Sequence, residues 1–165
     1  MKLLLVISGL LLFPGMAAPV YAESNPELIS SLKEAVLFEI KSMQQCEEHS
    51  EKFGLAMPYH RIILEKQQTI KSITDLIDNI GGTLDNNRLP PVKQPRLFQA
   101  LNCDAQDQIT LVSMYDAILN QFGHPAVRRI IDRARQQALV HFMLLTNMEQ
   151  KVIAETKLSS ELKTP

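Results

Sequence analysis

Apolar residues recur through the last third of the chain at alternating steps of four and three: Val127, Ile131, Ala134, Ala138, Leu145, Met148 and Val152. Those steps draw one stripe along a helix. They predict a helix over about 126–154, with His141 standing where an apolar residue would complete the stripe. Three earlier segments repeat the arrangement. A helix from Pro26 to about Lys52 carries Leu28, Leu32, Ala35, Glu39, Met43 and Cys46. A second, opened by Pro58 and stopped at Gly81-Gly82, carries Ile62, Glu65, Thr69, Ile73, Leu76 and Ile80. A third, from about Arg96, carries Phe98, Leu101, Ala105, Gln108, Val112, Tyr115, Leu119 and Phe122. Ser24-Asn25-Pro26-Glu27 supplies a capping side chain, a first-turn proline and an acid at the positive end of the first helix.

Connection lengths predict the topology. Short links at Gly54–Met57 and Gly123–Pro125 make two antiparallel helical hairpins. The middle link, 83–95, contains Pro90, Pro91 and Pro95, and extended at ~3.1 Å per residue it reaches roughly 40 Å. A helix of ~22 residues is about 33 Å long, so this link can run the length of the molecule and leave helices two and three parallel. The expected fold is all-α: a four-helix bundle of two antiparallel hairpins joined by a long crossover loop.

Composition narrows the setting. Lys2, the apolar run Leu3–Phe13 and the small residues before Glu23 read as a secretory leader over 1–22. The apolar run is too short for a membrane anchor, so no anchor is expected after cleavage. The bundle is then expected over 23–156, followed by a polar tail at 157–165, in a periplasmic or secreted protein. Cleavage removes Lys2 and takes the formal charge from −1 to −2, which gives no reason to expect nucleic acid as a partner. In an oxidising compartment the two cysteines, Cys46 and Cys103, are candidates to pair. The crossover topology would bring them to the same end of the bundle. Trp is absent and aromatics are 5 %, unlike a β-sandwich.

The candidate chemistry lies in the polar residues on the stripes. Glu39, Glu65, Gln108 and His141 each sit well inside a helix at an inward position. A buried carboxylate is costly unless hydrogen-bonded, paired, metal-bound or protonated, so four such placements predict a shared interior cluster, with Tyr115 and Gln68 as neighbours. Arg128, Arg129, Arg133 and Arg135 are assigned to a solvated face of the last helix. Met43, Met114, Met143 and Met148 are read as core filling rather than copper ligands, and His49 and His60 as surface residues flanking the first link. Neither a phosphate-binding glycine loop nor a GxSxG or HExxH motif is present.

Two hairpins with inward Glu and Glu-x-x-His positions resemble the ferritin-like di-iron bundles. Phe38-Glu39, Tyr59–Gln68, Val112–Asp116 and Ala138–His141 are similar in spacing to the uncharacterised ferritin-like family known as domain of unknown function 2202. That resemblance implies carboxylates at 39, 65, 108 and 138 and histidines at 68 and 141. Glu39, Glu65 and His141 match; Gln68, Gln108 and Ala138 do not. Bridging two hard cations takes more anionic oxygen than remains. Two readings stay open. One is a degenerate di-iron site forming a polar core in a non-catalytic binding or structural protein, with no cofactor. The other is a metal-binding protein of iron-oxidising or storage type, holding a single Fe, Mn or Zn ion through Glu39, Glu65 and His141. No catalytic residue is assigned. A homo-oligomer is compatible with either.

Overall fold

The computed structural model describes residues 25–84, 89–91, 94 and 96–161. The expected leader, the end of the expected tail and part of the connection between the second and third helices lie outside the described residues. Four helices, α1 (Pro26–Phe53), α2 (Tyr59–Asn79), α3 (Leu97–Gln121) and α4 (Pro125–Glu161), carry the fold. No strand occurs among the described residues, and no helix there is long and apolar enough to cross a membrane.

Local chemistry sets the helix ends. Asn25 Oδ1 accepts from the backbone N–H of Glu27 at 3.0 Å and of Leu28 at 3.1 Å, satisfying two first-turn donors that the helix itself leaves open. Gly54 closes α1 at φ 65°, and Gly81 turns the chain after α2 at φ 82°. Gly82 is needed for a different reason. A Cβ there would stand 2.8 Å from the Cγ2 atoms of both Ile29 and Ile77.

α1 packs on α2 and α3, and α4 packs on α3 and α2. Glu27 meets Gln121 while His49 meets Asp104, so α1 and α3 are antiparallel. Glu65 meets His141 while Thr69 meets Gln137, so α2 and α4 are antiparallel as well. Two apolar clusters fill the interior. The larger gathers Leu28, Leu32 and Val36 with Ile73, Leu76, Leu111, Ile118, Val127 and Ile131. The smaller gathers Cys46, Tyr59, Ile62, Leu101, Ala105 and Leu145. In every helix the segment between the two clusters turns polar residues inward.

The buried faces differ from the apolar stripes in three places. α1 buries Ser42, Gln45 and His49 beside Cys46, while Met43 is half-buried. α2 buries Lys66, while Glu65 keeps 23 % of its side chain exposed. α3 buries Asp104 and Asp107, while Phe98 is 40 % exposed. α4 also runs on to Glu161, past the expected end near Ala154. Residues 153–159 are all exposed, so this extension owes its form to helix-favouring Ala, Glu, Lys and Leu side chains rather than to packing.

The disulfide expected between Cys46 and Cys103 is not made; both thiols are free. The two residues do lie toward the same end, since Gln45 Nε2 reaches Cys103 Sγ at 3.5 Å. Cys46 is fully buried in the smaller apolar cluster, however, whereas Cys103 lies partly exposed on α3 beside Gln94 and Phe98.

Candidate functional site

The inward polar residues form a belt across the bundle, and its centre is an ion pair. Lys66 Nζ lies 2.5 Å from Glu39 Oε2, with the two side chains 1 % and 3 % exposed. Tyr115 donates its hydroxyl to the other oxygen, Oε1, at 2.6 Å. Both oxygens of the buried carboxylate are therefore held by donors, one of them charged. α2 delivers Lys66 because positions 62, 66, 69, 73 and 76 follow the same four-three steps as its apolar face.

Beside this pair, His141 is 2 % exposed and its Nε2 lies 2.8 Å from Glu65 Oε2. Burial pushes the imidazole below its ordinary value and the nearby Lys66 ammonium pushes it further, outweighing the attraction of Glu65 and Glu39. His141 is thus neutral near pH 7 and donates Nε2–H to Glu65. Burial acts to raise the Glu65 carboxyl, but hydrogen bonds from Arg61 and His141 together hold it below its ordinary value.

The belt's second half lies between α1 and α3. Asp104, fully buried, accepts from Gln45 Nε2 at 2.7 Å, from the Tyr59 hydroxyl at 2.7 Å and from His49 Nδ1 at 2.8 Å. A carboxylate only accepts, so His49 Nδ1 carries the proton in its contact with Asp104. His49 Nε2 is buried without a hydrogen-bond partner. Asp107 takes Lys41 Nζ at 2.8 and 2.9 Å and Gln45 Nε2 at 3.1 Å. Burial nonetheless raises its carboxyl above the ordinary value against the pull of Lys41. Gln108 donates to Ser42 Oγ at 3.1 Å and to the Asp104 carbonyl at 3.2 Å.

The four residues expected to share one cluster are therefore divided. Glu39 joins Lys66 and Tyr115, Glu65 joins His141 and Arg61, and Gln108 joins Ser42. Tyr115 is a neighbour of the centre as expected, but Gln68 is exposed on α2 and belongs to no part of it. His49, expected at the surface, is 1 % exposed. Ser42, Gln45, His49, Lys66, Asp104 and Asp107 carry most of the belt's hydrogen bonds, and apolar stripes alone do not find them. The signal that does is the step pattern itself: 39, 42, 46 and 49, or 62, 66 and 69, continue the buried face through polar residues.

A transition-metal ion, as the resemblance would imply, does not suit these donors. Both oxygens of Glu39 are already engaged, and the Lys66 ammonium on one of them sets a fixed positive charge where a second cation would be repelled. No set of three or more His, Cys, Asp or Glu side chains with metal-binding geometry occurs among the described residues. Burial, first, and neighbouring carboxylates push the Cys46 and Cys103 thiols and the Tyr59 and Tyr115 hydroxyls above their ordinary values, which leaves them protonated at neutral pH. No family profile matches the chain, and neither a curated protein nor a solved structure matches it.

Proposed function

We propose that the chain is an exported, non-catalytic helical-bundle protein of ferritin-like descent, with a binding or structural role in the cell envelope, whose metal centre has been replaced by a built-in cation. The observation that carries this reading is Lys66 Nζ on Glu39 at the middle of a four-helix interior. The ammonium supplies the positive charge that a buried carboxylate otherwise obtains from a metal. Helix directions support the descent. α1 is antiparallel to α3, and α2 to α4. α2 and α3 both run from the smaller apolar cluster to the larger, a parallel pairing that supports the reading of a ferritin-like crossover. Degenerate matches at 68, 108 and 138 agree with a centre that no longer selects ligands.

Metal analysis of the exported protein, with calorimetric titration of Fe(II), Mn(II) and Zn(II), tests the reading. The expected result is no stoichiometric uptake. Uptake of one ion per chain that disappears in Glu39→Gln and His141→Gln would overturn it in favour of a single-metal protein.

A further inference from the structure

We propose that the groove between α2 and α4 binds a small organic anion with an apolar face. These two helices touch less than the other neighbouring pairs, and between them lies a cavity of about 240 Å³. Arg129 and Arg133, one turn apart on α4, line it opposite Ser72 and Gln68 of α2, above an apolar floor that includes Ile73 and Ile130. No carboxylate lines the groove. The other two arginines of the basic run are engaged: Arg135 Nε meets Asp116 Oδ1 at 2.5 Å, and Arg128 donates to the Leu119 carbonyl at 3.0 Å. Arg129 and Arg133 have no acid partner among the described residues.

Two like charges one turn apart repel on a bare helix, and an anion lodged between them removes that repulsion. Guanidinium groups recognise carboxylate and phosphate alike through paired N–H donors, while the isoleucine floor accepts hydrocarbon. The volume lies below the ~300–1,000 Å³ of sites for drug-sized molecules, so the ligand is of the size of an aryl phosphate or an aryl carboxylate. A hydrogen bond from Thr69 to Gln137, 2.8 Å long, separates the groove from Glu65 and His141. The inference therefore stands apart from the reading of the polar belt.

Titrating the isotopically labelled protein with phenyl phosphate, while following backbone amides by NMR, tests it. Saturable shifts are expected at Ser72, Ile73, Ile130 and Arg133. Benzoate in place of phenyl phosphate separates a carboxylate from a phosphate preference. Inorganic phosphate should bind more weakly, and benzylamine and benzyl alcohol should not bind. Both arginines are exposed, so Arg129→Gln/Arg133→Gln keeps its fold by circular dichroism, and it should lose roughly tenfold or more in affinity, as expected on removing a charge-assisted contact. Arg128→Gln, off the groove, should bind almost as the unaltered protein does. Three results would each overturn the proposal: no saturable shift with either aryl anion, equal losses in Arg128→Gln and the double variant, or inorganic phosphate binding as tightly as phenyl phosphate.

Discussion

Lys66 and Glu39 are each tolerable in the interior only because the other is there. Removing one partner of a buried pair leaves an uncompensated charge, at a cost of about 3–5 kcal/mol, whereas removing both is often close to neutral. Lys66→Met should therefore destabilise the protein by an amount in that range. Glu39→Gln/Lys66→Met, which keeps an oxygen to accept from Tyr115, should recover most of the loss in urea unfolding; strict additivity of the two single changes would refute the coupling. His141 makes a second prediction, with its sign fixed by burial. Its folded value lies below the ordinary 6.5, so between the two the unfolded chain binds more protons, and stability rises with pH across that window. Acidifying from neutrality through 6.5 should weaken the fold. Glu65, held low, adds its own loss further down, below the ordinary 4.5. His141→Gln retains an N–H for Glu65 and cannot titrate, so its unfolding midpoint should change less over the upper window; identical pH profiles would remove His141 from the account. None of this could be read from apolar spacing. Lys66 and Glu65 are adjacent, and a carboxylate fits the metal pattern, so the stripe selects Glu65 when the packed face in fact turns through Lys66.

At the scale of the helix, much more was legible. Asn25, Gly54, Gly81 and Pro125 bound their helices as capping chemistry requires, and the stripe from Val127 to Leu145 is buried along its whole length. Two features escaped because neither depends on hydrophobic pattern. Gly82 excludes a side chain through contact with Ile29, a residue far away in sequence. The last turns of α4 are helical although residues 153–159 are exposed. Those turns give an element-scale prediction: truncation after Glu155 should change stability by no more than about 0.5 kcal/mol, the usual range for surface changes, while far-UV circular dichroism loses the corresponding helix signal. A loss of several times that size would mean that exposed Leu158 has a partner.

Across the whole molecule the belt separates two apolar clusters of unequal extent, and opening should follow that division. Amides of Ile73, Leu76, Leu111 and Ile131, in the larger cluster, should be the slowest to exchange with deuterium, and those of Ile62, Leu101 and Leu145 faster, because local opening free energy tracks the apolar burial it disrupts. Uniform protection from end to end would show that the belt couples the clusters into one unit. The belt also settles a matter that greasy faces leave open. Leucine and isoleucine mate nearly as well after one helix slides along its neighbour by a turn, about 5.4 Å. A slide of α1 would carry Glu39 off Lys66 and His49 off Asp104, and a slide of α2 would carry Lys66 off Glu39 and Tyr59 off Asp104, stranding charge without water. The bundle is thus keyed along its axis at two notches, and a shift of α1 or of α2 unlocks both.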